Sequence, residues 1–271
     1  MALLQTVFET HGDGKRLRVA RLGSGPPLIL LHGYPDNLQI WSELALRLAD
    51  RFTVIAFDWP GMGYSETWRG GTTPAHMADR LLKLIDEWQI ERVGLVGMDM
   101  GGQPALAFAA NYPERTRELV VMNSLVLWDE KTSWEIQILR QFGWNRFILR
   151  RLPGIVFWHA EKTFLPARVR LPPDLRKDLW DSFKRPEVRV FISRMCAGYQ
   201  GTLSNLPETY RRVVCPTLIL WGQKDAHFPT AHAERLHALI PSSKLQVVPG
   251  AEHWMAWYRA EEVAAFIRGR I

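Results

Sequence analysis

Cysteine is nearly absent: the 271 residues hold two, Cys196 and Cys215, too few and too far apart for a disulfide framework or a metal-ligand cluster. Both are expected to be reduced thiols, and the protein to be cytoplasmic. No apolar run approaches the ~20 residues that cross a bilayer. The first residues, Met1 to Val7, lack a basic stretch followed by a long apolar core, so no secretory leader and no membrane attachment are expected. Internal repeats and low-complexity segments are also missing. The formal charge is +6, yet there is no basic block. Arginines cluster only in scattered groups (Arg146, Arg150, Arg151; Arg168, Arg170; Arg211, Arg212), which reads as a solvated face and not as a nucleic-acid surface. What remains is 47% hydrophobic and 23% charged, suited to one large globular domain or one domain with an insertion.

The pattern along the chain alternates strand and helix. Leu4, Thr6 and Phe8, then Leu17 and Val19 after a glycine-containing turn, predict a hairpin. Leu28 to Leu31 is apolar throughout, as strands buried on both faces of a parallel sheet are. Further strands are expected at Phe52–Phe57, Val93–Val96, Leu119–Asn123, Thr217–Gly222 and Lys244–Val248. Helical spacing appears over Trp41 to Ala49, after Thr73-Pro74, from Gln103 up to the residue before Pro113, over Ala231 to Ile240 and Ala260 to Arg268. From Val126 to Arg212 the alternation stops, and the segment has helical pieces rich in Trp, Phe, Arg and Pro. The expected fold class is α/β: a mostly parallel sheet flanked by helices, with an inserted helical cap. Residues 1–125 and 213–271 form the core and 126–212 the cap.

One stretch concentrates the chemistry. Leu95-Val96-Gly97-Met98-Asp99-Met100-Gly101-Gly102 joins a strand to a helix through a Gly-x-Asp-x-Gly turn, which forces its central side chain into the open. Serine is the usual occupant of such an elbow, and its attack suits acyl carbon. At sp³ carbon serine would leave an ether, whereas a carboxylate leaves an alkyl ester that water can cleave at the enzyme's own carbonyl. The bland alternative for Asp99 is a hydrogen-bonding aspartate in an inactive relative.

Together with this elbow, the His32-Gly33-Tyr34-Pro35 loop, the turn from Asp58 to Ser65, Trp221-Gly222-Gln223-Lys224-Asp225 and Gly250-Ala251-Glu252-His253 make the chain resemble the α/β-hydrolase superfamily over almost its whole length. Nucleophile, acid and histidine follow in the order that this fold uses. An elbow aspartate resembles the branch of epoxide hydrolases, haloalkane dehalogenases and haloacetate dehalogenases. The resemblance implies that His253 is the base activating water and that Asp225 holds its imidazole. It further implies that the backbone N–H groups of Tyr34 and Met100 form an oxyanion hole. Asn123 stands where some relatives carry the acid, but it cannot carry the charge. His32 and the Asp58 turn read as structural braces.

The departing group is less plainly written. Epoxide opening needs an acid at the leaving oxygen, and the branch uses cap tyrosines or a histidine and tyrosine for it. Tyr199 is the chosen candidate, with His159 or Trp158 as its partner or as pocket lining. For halide release the branch places a tryptophan after the nucleophile and often an asparagine in the early loop; here Met100 and Tyr34 occupy those places. Haloacetate relatives carry arginines beyond the elbow, and Gln103 to Ala110 has none. The expectation is a hydrolase without cofactor or metal, acting with water on a hydrophobic small molecule, an epoxide ahead of a haloalkane or haloacetate. A non-catalytic ligand receptor on the same fold is the alternative of another class. The oligomeric state is not legible.

Overall fold

A computed structural model describes residues 2–11, 14–127, 143–203 and 205–269. Its centre is one sheet of eight strands: β1 Val7–Thr10, β2 Arg16–Leu22, β3 Pro27–Leu31, β4 Thr53–Phe57, β5 Val93–Met98, β6 Thr116–Met122, β7 Thr217–Gly222 and β8 Ser243–Val248. Their spatial order is β1-β2-β4-β3-β5-β6-β7-β8. β1 pairs antiparallel with β2, and β2 with β4; every other neighbouring pair is parallel. β5 and β7 are buried at every position, which is why they read as unbroken apolar runs and not as alternating strands. The expected hairpin is present but starts three residues later than Leu4. Leu4 instead pairs its backbone with the Gln39 side-chain amide, donating to Oε1 at 2.8 Å and accepting from Nε2 at 3.0 Å.

After β3 the chain turns one way to β4, and then crosses back to β5 on the other side. Strand order reverses at this point, so the loops leaving β3 and β5 come side by side at the carboxyl ends of the strands, the place where open α/β sheets carry their sites. The loop after β3 runs from His32 to Asn37. The one after β5 is the elbow, a short 3₁₀ turn at Asp99–Gly101 leading into the helix Gly102–Asn111. The two segments touch closely. A Cβ on Gly33 would lie 2.3 Å from Cβ of Asp99, and one on Gly101 would lie 2.1 Å from the Leu31 carbonyl oxygen. Both positions therefore require glycine.

Between β6 and β7 the described residues form helices joined by loops and contain no strand. The helices are Gly143–Arg151, Pro153–Thr163, Pro173–Phe183, Pro186–Leu203 and Leu206–Tyr210. One of them is tied to the sheet by a buried polar cluster. Arg18 on β2 donates twice to Asp178, at 3.0 and 2.8 Å, while Asn37 Nδ2 donates to Asp178 Oδ1 at 2.7 Å and to Ser182 Oγ at 2.9 Å. Among the described residues no helix is long and apolar enough to cross a membrane.

Candidate active site

Three side chains distant in sequence meet at the strand ends. Asp99 has φ +53°, the left-handed region that residues other than glycine rarely enter, at a typical cost of ~1–3 kcal/mol. The surrounding structure maintains this strain. Asp99 N–H donates to the Asn123 carbonyl at 3.0 Å, and the Ser124 hydroxyl donates to the Asp99 carbonyl. The consequence is that the carboxylate stands clear of its own backbone and its two oxygens face different partners. Oδ1 accepts from Tyr34 N–H at 3.1 Å, and Met100 N–H also bonds to the carboxylate. Oδ2 lies 3.6 Å from Nε2 of His253.

His253 has no exposed surface, and its Nδ1 donates to Asp225 Oδ2 at 2.7 Å. Asp225 is itself fixed by its other oxygen, which accepts from the N–H groups of His227 at 2.8 Å and Phe228 at 3.0 Å. Burial works to raise the Asp225 pKa, but the His253 charge and hydrogen bond and these two N–H groups outweigh it and hold the carboxyl below its ordinary range. Burial likewise pushes His253 down, while Asp225, then Asp99 and Asp36, override it and lift the imidazole to about 8. Asp99 is raised, chiefly by burial, against the opposing pull of His253 and the Met100 and Tyr34 N–H groups.

His32 braces the loop beneath. It is fully buried, donates from Nδ1 to the Gly33 carbonyl at 2.7 Å and accepts Trp59 N–H on Nε2 at 3.2 Å. Burial lowers its pKa to about 4, so the ring is neutral. Asp58 similarly gathers Leu38 N–H and Tyr64 N–H, each at 2.8 Å.

The remaining candidates lie between β6 and β7. His159 is half-buried, its ring 6.1 Å from that of His227, which is in turn 6.3 Å from His253. Trp158, by contrast, is 57% exposed and does not line a buried pocket. On the helix Pro153–Thr163 the buried stripe passes through Phe157 and Ala160, and a neighbour about 100° away turns toward solvent. Tyr199 lies on the helix Pro186–Leu203, and its side chain is outside the described residues.

Two participants, Phe164 and Asp36, were not singled out from the sequence, and Asn123 has a role beyond the one weighed for it there. The Phe164 ring packs tilted against the His253 ring, centroids 4.1 Å apart, and its carbonyl accepts the backbone Trp254 N–H at 3.0 Å. Asn123, at the end of β6, donates from Nδ2 to the His253 carbonyl at 2.8 Å and accepts Gly222 N–H on Oδ1 at 2.8 Å. The side-chain amide thus joins the loops of acid and histidine, and the same residue's backbone carbonyl holds the nucleophile's N–H. Asp36, directly after the His32–Pro35 loop, is buried close enough to Asp99 and His253 to feel both charges. Among the described residues no three His, Cys, Asp or Glu are grouped as a metal site.

Residues 26–260 match the family model of the alpha/beta hydrolase fold. The chain belongs to that family. An uncharacterized protein of Mycobacterium bovis is 30% identical over 260 residues, covering 90% of this chain and 74% of its own. Epoxide hydrolase 3 of Xenopus tropicalis is 25% identical over 264 residues, or 90% of this chain and 70% of that protein. Among solved structures, a thermophilic esterase from Thermogutta terrifontis superposes with a TM-score of 0.79 at 26% identity, covering 98% of this chain and 97% of its own. The α/β-hydrolase fold expected from the motifs is therefore the one observed, and the chain is a hydrolase of this superfamily.

Proposed function

We propose that this α/β hydrolase works without a cofactor through an alkyl-enzyme ester on Asp99, and that its electrophile is an epoxide. The observation that carries the reading is the division of the Asp99 carboxylate. Oδ1 accepts from the Tyr34 N–H, the Met100 N–H also bonds to the carboxylate, and Oδ2 faces the Nε2 of a buried, carboxylate-backed imidazole at 3.6 Å. Oδ2 would attack the sp³ carbon. His253 Nε2 would then take a proton from water as the water attacks Asp99 Cγ, and the charge arising on Oδ1 would meet the Tyr34 and Met100 N–H groups. Asp225 would hold the imidazole and stabilise its charge. Residues 126–212 would serve as the cap over a core of 1–125 and 213–271, with Tyr199, and His159 through its histidine row, as candidates at the leaving oxygen. The named epoxide hydrolase among the relatives supports an epoxide, and a hydrophobic small molecule suits the apolar surroundings of the strand ends.

The test is mass spectrometry of His253→Gln after incubation with styrene oxide and with 1-bromohexane. A mass increase on the peptide containing Asp99 that persists in the variant and turns over in the unmodified enzyme is the expected result. The released product separates the electrophiles: a diol signifies epoxide opening, and bromide signifies the dehalogenation reading. Absence of any adduct and any turnover would leave a ligand receptor or an acyl-ester hydrolase.

The pH dependence follows from His253. Its folded-state pKa is raised from 6.5 to about 8, so its charge stabilises the fold fully below pH 6.5 and this contribution is lost as pH rises through about 8. A base must be neutral, so hydrolysis of the ester should accelerate in the direction in which stability declines. Alkylation removes the Asp99 charge that helps retain the proton, so the rising limb for ester decay is expected below pH 8. Quenched-flow measurement of ester decay from pH 5 to 9 checks this; a rate falling with pH would exclude His253 as the base.

A further inference from the structure

The insertion between β6 and β7 touches the loop after β3 through polar groups that no step above uses. Along the helix Pro173–Phe183, Leu175, Leu179 and Phe183 are buried, as packing on a core requires. The same helix presents Asp178 and Ser182, four residues apart and so on one face. Both meet Asn37, which has no exposed surface. Its Nδ2 donates to Asp178 Oδ1 at 2.7 Å and to Ser182 Oγ at 2.9 Å. Asp178 also accepts Arg18 Nη1 at 3.0 Å and Nη2 at 2.8 Å, and 14% of its side chain is exposed. An apolar face can slide or turn at little cost, whereas a desolvated carboxylate with these donors has one seat. Asn37 passes that seat inward. Its Oδ1 accepts the Gln39 N–H at 2.9 Å, capping the short turn Leu38–Trp41, and the Leu38 N–H donates to Asp58 at 2.8 Å. Three residues before Asn37, the Tyr34 N–H donates to Asp99 Oδ1 at 3.1 Å. Of the polar ties on this loop, His32 and Asp58 belong to the core, and Asp178 and Ser182 to the insertion.

We infer that the Asn37–Asp178 hydrogen bond carries the seating of the inserted helices to the Tyr34 N–H. Asn37 and Asp178 are then positioning residues for hydrolysis of the Asp99 ester. The inference rests on the alkyl-ester reading. The two half-reactions use the Tyr34 N–H differently. During alkylation Asp99 starts as a carboxylate, and the N–H already bonded to Oδ1 withdraws charge from the attacking group. In the second step water bonds to Asp99 Cγ and gives a proton to His253 Nε2, while the carbonyl electron pair moves onto Oδ1. A donor held in place then stabilises the transition state more than the ester that precedes it. Collapse returns the pair, breaks the Cγ–Oδ2 bond and passes the His253 proton to the departing alkoxide. A loop released from Asp178 therefore slows loss of the ester and leaves its formation near the original rate.

Rapid-quench mass spectrometry of Asn37→Asp, Asp178→Asn and the double variant, with styrene oxide and 1-bromohexane as probes, tests the coupling as a cycle. Asn37→Asp keeps the oxygen that caps Gln39 but sets a carboxylate against Asp178. In Asp178→Asn, either orientation of the amide turns an N–H toward an N–H of Arg18 or Asn37. Each single variant should form the ester at nearly the unmodified rate and lose it roughly 10- to 100-fold more slowly, the scale of a misplaced donor. With decay limiting, kcat and KM should fall together and leave kcat/KM unchanged. The double variant exchanges donor and acceptor across the contact and is expected to recover most of the decay rate. Formation and decay slowed alike, or a higher KM at unchanged kcat, overturns the inference. So does a double variant that regains the unmodified Tm but not the decay rate. If the charged variants do not fold, Ser182→Ala, which removes the second acceptor without adding charge, decides in their place. Slower decay with unchanged formation supports the inference there, and an unmodified decay rate overturns it. A labelled Asp99 preserves the alkyl-ester reading in each case, whereas no label on Asp99 in the unmodified enzyme or in His253→Gln removes both.

Discussion

Asp99→Asn is expected to lower turnover by roughly 10⁴- to 10⁶-fold, the range seen when an enzyme loses its nucleophile. An amide of the same shape can still fill the elbow and receive the Tyr34 and Met100 N–H groups, but it has no lone pair basic enough to attack sp³ carbon. Folding should respond in the opposite sense. Burial raises the Asp99 pKa, so at neutral pH the folded state bears the cost of an ionised, desolvated carboxylate that the unfolded state does not. A raised carboxylate pKa destabilises above its ordinary range, and the effect vanishes once the pH is low enough to protonate both states. Asp99→Asn should therefore melt at or above the temperature of the unmodified protein at pH 7, with the difference shrinking toward pH 4. Calorimetry and turnover on the same preparation check both halves. Substantial remaining activity would remove Asp99 as the nucleophile.

Asp225→Asn is expected to cost roughly 10⁴-fold, as loss of the carboxylate behind a catalytic histidine does elsewhere. The amide would present either N–H or C=O to Nδ1, and the N–H orientation favours the tautomer whose Nε2 carries the proton and cannot accept another. The sign for stability is reversed relative to Asp99. Asp225 is held below its ordinary pKa, so its contribution is present at neutral pH and is lost as the pH falls through its folded value. Asp225→Asn should lose about 2 kcal/mol at pH 7, the scale of a hydrogen bond to a charged group, and less in acid. Two aspartates a few ångströms from one imidazole are thus expected to shift Tm in opposite directions. If Asp225→Asn retained full activity, the imidazole would have to be oriented by another group.

Much of this arrangement is legible before any coordinates. β3, β5 and β7 are unbroken apolar runs because both faces of a parallel sheet are covered; Asp99 and Asp225 follow two of them within a few residues, and His253 follows the mixed edge strand β8. Their meeting requires only that the strands be parallel, since all carboxyl ends then lie on one edge. The rest depends on packing across long sequence separations. That Asn123 joins three loops cannot be read from one asparagine at a strand end. Phe164 reaches His253 from between β6 and β7, where local periodicity has no fixed relation to the sheet. Trp158 shows the same limit: Ile155, Phe157 and Trp158 are all apolar, but only Phe157 is buried, and helical phase cannot be assigned where several faces look hydrophobic. Asp36 could have been suspected, because a carboxylate adjoining the loop that contacts the elbow has few routes to solvent.

The unequal setting of the Asp99 oxygens gives them unequal lifetimes in the proposed reaction. Oδ1 sits against the Tyr34 N–H and only gains and loses charge, whereas Oδ2 leaves with every product and is replaced from water. If the buried carboxylate does not rotate between cycles, one oxygen is a permanent part of the protein and the other is a reagent. The hydroxyl appearing in each product would then derive from the water consumed one cycle earlier, so that the enzyme carries an isotopic record of its previous turnover.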